Sequence, residues 1–184
     1  MFLDIALGIF GVLAFTKIEG VNLSLILIIV GILFALLPDI DFVFYSINGK
    51  KSNAQTHTHR ELLHHPLIFI PAGFIGAVIL LDLQLAILFA ILSFLHFIHD
   101  SVGIGWGIQW LYPFSKKFYK FFSDETNELS TRFMISRTPE EQQIAVKKYG
   151  RDDWIKYYYF RPTPISVVEY SAFIISIIVL VLIT

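Results

Sequence analysis

Apolar runs separated by short polar breaks make up most of this chain. Five runs lie close to or slightly below the ~20 residues that cross a bilayer as a helix. They cover positions 2–15, 21–37, 67–81, 83–98 and 165–183. The breaks at 17–20 and at Asp82 are brief. Because short connections join neighbouring antiparallel helices, the pattern predicts two tight helical hairpins followed by a C-terminal span.

The segment 115–163 is more polar and carries helix signals. Thr138 is an N-cap residue, Glu141 completes a capping box with it, and Gly150 is a stop signal. A second short helix is predicted over 152–159. We therefore predict an all-α, polytopic helical membrane protein with about five membrane helices. Its predicted parts are a membrane helical domain at 1–114, a cytoplasmic or interfacial helical segment at 115–163 and a C-terminal transmembrane helix at 164–184.

Composition supports the membrane class. The chain is 55% hydrophobic, and its mean hydropathy is +0.67. The absence of cysteine excludes disulfides and thiolate metal ligands. A net charge of -1 without a clustered basic face argues against nucleic-acid binding.

The distribution of cations predicts the orientation in the membrane. Of the 14 lysine and arginine residues, only Lys17 lies in a hairpin tip, and the others lie in the remaining two connections. Cytoplasmic loops carry the excess of cations, so these connections are predicted to be cytoplasmic. With five spans, the N-terminus is then cytoplasmic and the C-terminus external.

All six histidines lie between positions 57 and 99, where predicted membrane helices end. Pro38 ends the second run, so Asp39 and Asp41 emerge just past it. His96 and Asp100 are one turn apart on one helix face. His59 and His64 are five apart, so a continuous helix would direct them to different faces. Both can still be ligands if a helix starts within this segment, or if each binds a different ion. The candidate metal ligands are Asp39, Asp41, His59, His64, His96 and Asp100.

Each pair also has a structural interpretation when it is taken alone. Asp39 could cap a turn, and His96 with Asp100 could form an internal hydrogen bond that fixes the helix end. Three such pairs at one predicted membrane face favour a metal site. Imidazole and carboxylate ligands without sulfur suit zinc first, with manganese or iron as alternatives, and six ligands suffice for one or two divalent ions.

The neighbouring polar residues have open roles. Arg60 could grip a phosphate or carboxylate on a substrate, or pair with Asp39 or Asp41. Glu61 could be a general base or a solvated glutamate. Further ligation is left open for His57, His65 and His99.

These motifs resemble the YdjM-like membrane-bound, metal-dependent hydrolases of bacterial and archaeal inner membranes. The resemblance covers about positions 1–115 and departs from the family pattern at Glu61, Leu63 and His65. It implies a metal site, an inner-membrane location and hydrolysis. It rests on three motifs: Leu37-Pro38-Asp39-Ile40-Asp41, His59-Arg60 with His64, and His96-x-x-x-Asp100 before a glycine-containing stretch that ends Leu111-Tyr112-Pro113-Phe114-Ser115.

The leading hypothesis is a membrane-embedded metal-dependent hydrolase of a phosphate or carboxylate ester, such as a lipid-linked one, at the cytoplasmic interface. In it, Arg60 stabilises substrate charge, and membrane lipid is the expected partner. The alternatives are a non-catalytic metal-stabilised scaffold or metal carrier, a membrane di-iron oxygenase, and a haem protein that uses His64 and His96.

Overall fold

The computed structural model describes residues 1–40, 63–103, 105–126 and 128–183. Helices dominate this part of the chain, and two strands form a small sheet. The helices are α1 (Phe2–Glu19), α2 (Leu25–Leu36), α3 (Pro66–Leu80), α4 (Leu83–Val102), α5 (Pro139–Tyr149), α6 (Trp154–Tyr159) and α7 (Pro164–Ile183), with a 3-10 turn at Leu37–Asp39; the strands are β1 (Phe118–Ser123) and β2 (Leu129–Arg137).

The chain divides into two compact units. The first comprises Met1–Leu37, Ile70–His96 and Pro162–Thr184, and the second comprises Pro38–Phe69 and Phe97–Arg161. Both divisions fall inside continuous helices, because α3 and α4 each contribute residues to both units.

In the first unit, α1 packs against α2 and α7. The core there is formed by Val12, Ala35, Leu88 and Leu92. Helices α1 and α2 form the first predicted hairpin, and Ser24 caps α2 by accepting the Leu27 N–H at 3.2 Å.

Two glycines set the spacing between α1 and α2. A Cβ atom added to Gly8 would lie 2.7 Å from the Cα of Ile32, and one added to Gly31 would lie 2.8 Å from the Gly8 carbonyl oxygen. Both distances are shorter than van der Waals contact, so only glycine lets the two backbones approach this closely.

By length and composition, two of the described helices, α4 and α7, are sufficient to cross a membrane. Helices α2 and α3 have 12 and 15 residues, which span only ~18 and ~22 Å of a ~30 Å hydrocarbon core. The 18 residues of α1 include three charged ones, Asp4, Lys17 and Glu19. The prediction of about five membrane helices is therefore reduced to two candidate spans among the described residues.

The second unit contains an antiparallel hairpin of β1 and β2, so the all-α prediction is wrong for this segment. Aromatic residues crowd β1, and such side chains favour strands. Asp124 closes the turn, because its Oδ1 accepts the N–H groups of Thr126 at 2.8 Å and Glu128 at 3.1 Å.

The helix predicted after Thr138 is confirmed. The Thr138 hydroxyl accepts the Glu141 N–H at 3.3 Å, and the Glu141 carboxylate accepts the Thr138 N–H at 2.8 Å. The helix ends before Gly150, as predicted. The second short helix is also present, as α6, starting at Trp154 instead of position 152.

Candidate metal centre

Three separate segments of the second unit bring acidic and imidazole groups together. Asp39 lies in the 3-10 turn after α2, His64 lies just before α3, and Asp100 lies near the end of α4. The Nε2 atom of His64 is 3.4 Å from Oδ1 of Asp39 and 3.2 Å from Oδ2 of Asp100. One imidazole therefore sits between two carboxylates.

His96 adds a second imidazole from the same helix as Asp100. It precedes Asp100 by one turn of the continuous helix α4, so the helix itself places both side chains on one face. Asp39, His64, His96 and Asp100 each offer one nitrogen or oxygen atom, and these four atoms all lie within 4.8 Å of one another. We refer to these four residues as the candidate centre.

The candidate centre is mostly buried. His64 and His96 are each 1% exposed and Asp100 is 5% exposed, whereas the Asp39 side chain is 34% exposed. Buried charges are costly unless they are paired or bind a metal. Asp39 is thus the member of the four that solvent reaches.

Local sequence explains how these side chains arrive here. Pro38 is buried in the turn that ends α2, and Pro66 is the first residue of α3. His64 therefore emerges before the first turn of α3. The carbonyl of His65 accepts the N–H groups of Ile68 and Phe69, both at 2.9 Å, which fixes that turn.

Aromatic side chains of the second unit pack beside the candidate centre. The fully buried Phe97 ring meets the His64 ring edge-on at 6.1 Å between centroids and also contacts Phe69 and Trp110. The Trp110 indole N–H donates to the Ser101 hydroxyl at 2.8 Å. This apolar surrounding strengthens every electrostatic interaction at the centre.

The donor set fits a divalent cation. A tetrahedral ion with ligand bonds of ~2.0–2.2 Å separates its ligand atoms by roughly 3.3–3.6 Å. The two separations measured from His64 Nε2 are 3.2 and 3.4 Å, and all four donor atoms lie within 4.8 Å of one another. Two carboxylates also balance a charge of +2. Nitrogen and oxygen donors without sulfur suit zinc, manganese or iron.

The structure brings together Asp39, His64, His96 and Asp100 from the predicted ligand set. His65 and His99 lie outside this group of four. The His65 ring bonds to Gln109 Oε1 at 2.9 Å and stacks on Tyr112. His99 lies against Gly103 and is half-buried. Asp41, His57, His59, Arg60 and Glu61 fall outside the described residues, so their predicted roles stay predictions.

Sequence reasoning missed Asp4. In the first unit, its Oδ1 atom lies 3.2 Å from Nδ1 of His96, and both side chains are 1% exposed. The available signal was a single aspartate in the first turn of an otherwise apolar helix.

Comparison with known proteins gives one family. The sequence model of a family described as YdjM inner membrane protein matches residues 3–183. Neither a curated protein nor a solved structure matches the chain. The match confirms the resemblance found in the motifs and, together with the apolar helices α4 and α7, the predicted inner-membrane location.

Proposed function

Because the chain belongs to the YdjM inner membrane protein family, we propose that it is a membrane-embedded, metal-dependent hydrolase of phosphate or carboxylate esters. The observation that carries this proposal is the convergence of Asp39, His64, His96 and Asp100 within 4.8 Å. The motifs that supply these residues are far apart in sequence.

The burial of the centre suits hydrolysis. The four residues would hold the cation, and Asp39, the most exposed of them, lies where a substrate can approach. A bound divalent cation would lower the pKa of a water molecule and stabilise negative charge on the ester oxygens. The protein residues contribute position, charge balance and an apolar wall that limits access of bulk water.

Lipid-linked esters are the favoured substrate class. Ile40 follows Asp39 directly, and Leu67 and Ile68 follow His64 closely; all three are exposed apolar residues of the second unit. Such a surface suits acyl or isoprenoid chains better than a free sugar phosphate. Arg60 is proposed to bind the charged head of the substrate and Glu61 to act as the general base, both from the sequence alone.

A non-catalytic, metal-stabilised scaffold is the second candidate. It is supported by the direct contacts of His64 with both Asp39 and Asp100, which could tie three chain segments together without any turnover. The four described donors suffice for one ion, which makes a di-iron oxygenase a weaker proposal.

Metal analysis of the purified protein tests the centre. We expect one divalent ion per chain in the wild type, and loss of that ion in His96→Ala and Asp100→Asn. His99→Ala is the matched control, because it removes a histidine three residues further along the same helix, outside the group of four. Full metal content in both His96→Ala and Asp100→Asn would overturn the centre.

Activity assays separate the enzyme from the scaffold. The probes are p-nitrophenyl phosphate, p-nitrophenyl butyrate and phosphatidic acid in detergent micelles. Hydrolysis by wild type and His99→Ala but not by Asp100→Asn supports the enzyme. Metal-loaded protein that hydrolyses none of the three favours the scaffold. If turnover is found, Arg60→Ala is expected to lower it without changing metal content.

A further inference from the structure

A buried acid of the first unit lies outside the proposed ligand set. Asp4 is in the first turn of α1, is 1% exposed, and holds its Oδ1 atom 3.2 Å from Nδ1 of His96. At this distance the two side chains form an ion-pair contact, and a small rotation of the imidazole ring would direct its N–H at the carboxylate. An imidazole that contacts a carboxylate through Nδ1 can bind a cation through Nε2.

The position of Asp4 is fixed by contacts between α1 and α7. Glu169, also 1% exposed, accepts the Phe2 N–H at 3.1 Å and so satisfies a backbone donor at the start of α1. The Phe2 ring packs against Tyr170 and Phe173, with centroids 4.9 and 5.5 Å apart. The first turn of α1 is therefore held in place on two sides.

We propose, on the premise of the metal centre proposed above, that Asp4 is a positioning residue for His96. Its carboxylate accepts the Nδ1–H of His96, which fixes the tautomer and the ring orientation and presents Nε2 to the cation. Carboxylates behind a ligating histidine orient the ring and raise its basicity, and their removal typically weakens metal binding by about 10–100-fold.

Helix geometry explains why such a partner is needed. His96 and Asp100 share one face of α4, but a helix fixes the Cα and Cβ atoms and leaves the imidazole free to rotate about its side-chain bonds. A carboxylate contact from outside α4 restricts this freedom. Asp4 provides that contact from α1, a different helix of the same unit.

Zinc affinity of two Asp4 variants tests the role. Competition with a chromophoric chelator is expected to give about 10–100-fold weaker zinc binding for Asp4→Ala and a smaller loss for Asp4→Asn, which keeps an acceptor oxygen. Asp82→Asn is the matched control. Asp82 is exposed and directly precedes α4, and it lies ~21 Å from His96 along the helix axis. Zinc affinity within twofold of wild type for Asp4→Ala would overturn the role.

Nitrogen NMR of the metal-free protein gives a readout that a purely structural role would not move. With labelled histidine, His96 is expected as the Nδ1–H tautomer in wild type and as the Nε2–H tautomer in Asp4→Ala. An Nε2–H tautomer in wild type refutes the inference. This measurement needs no bound metal, so a wild-type protein that binds none would refute the proposed function while the role of Asp4 is still decided.

Discussion

Lys120 offers a test of how β1 supports the end of α4. This lysine is 2% exposed, and its ammonium group donates to the carbonyl of Gly103 at 2.9 Å and to the carbonyl of Gly105. Gly103 follows α4 directly, and its own N–H bonds to the His99 carbonyl at 2.7 Å. The lysine thus joins the strand to the turn that follows Asp100.

The substitution Lys120→Met keeps the aliphatic stem and removes the charge. Each buried carbonyl that loses its hydrogen-bond donor lowers the free energy of unfolding by about 1–3 kcal/mol. Part of that loss is offset, because the variant no longer has to bury a charged ammonium group. We therefore expect the free energy of unfolding to fall by about 2–4 kcal/mol. For a chain of this size the melting temperature should drop by roughly 5–15 °C.

Thermal unfolding in detergent, followed by tryptophan fluorescence, measures this change. Trp106 and Trp110 lie in the same unit as Lys120, so their emission reports on the region that loses its support. Lys116→Met is the control, because it makes the same chemical change at an exposed lysine. A melting temperature for Lys120→Met within 1 °C of that control would show that the two carbonyl contacts contribute nothing.

Three further substitutions test the packing and the polar segment. Gly31→Leu should push α1 from α2, because even its Cβ would lie 2.8 Å from a carbonyl oxygen; about 1–3 kcal/mol of stability should be lost, and an unchanged melting temperature would contradict the close approach. Thr138→Ala removes the cap of α5 and should cost ~1 kcal/mol by urea unfolding, whereas Thr138→Ser should restore it. Burial and the nearby Glu128 raise the pKa of Tyr158 to about 12. The neutral phenol is thus favoured in the folded state. Its contribution to the free energy of unfolding should be complete below about pH 10 and should be lost as the pH rises towards 12. Tyr158→Phe should abolish this part of the pH dependence of urea unfolding, and an identical pH profile in the variant would refute the shift.

Sequence signals such as capping residues, proline and helical spacing predicted the features that depend on residues close together in the chain. The capping box depends on Thr138 and Glu141, which are three residues apart, and α5 begins and ends where those signals place it. Four of the six predicted ligands lie together in the structure, in part for a related reason. Pro38 ends α2 close to Asp39, and helical spacing alone sets His96 and Asp100 on one face.

Long-range pairing explains what the sequence did not reveal. Strand β1 is stable as a strand only when β2 lies beside it, and their pairing joins Phe118 to Arg137. The helix signals in the same segment did not indicate that β2 would pair with β1. Asp4 was missed for the same reason, because its contact with His96 joins residues far apart in sequence. The apolar runs were already close to or below the length that spans a bilayer, and the helices α2 and α3 that form within them are shorter still, at 12 and 15 residues.

Asp39 is the most solvent-exposed donor among the four residues of the candidate centre, so a cation would enter and leave the centre on the side of Asp39. An incoming cation would meet this carboxylate before the buried imidazoles, and a departing cation would leave it last. Side chains around position 39 would then govern how fast the protein loads and releases its ion. The three enclosed donors would govern how tightly the ion is held at equilibrium.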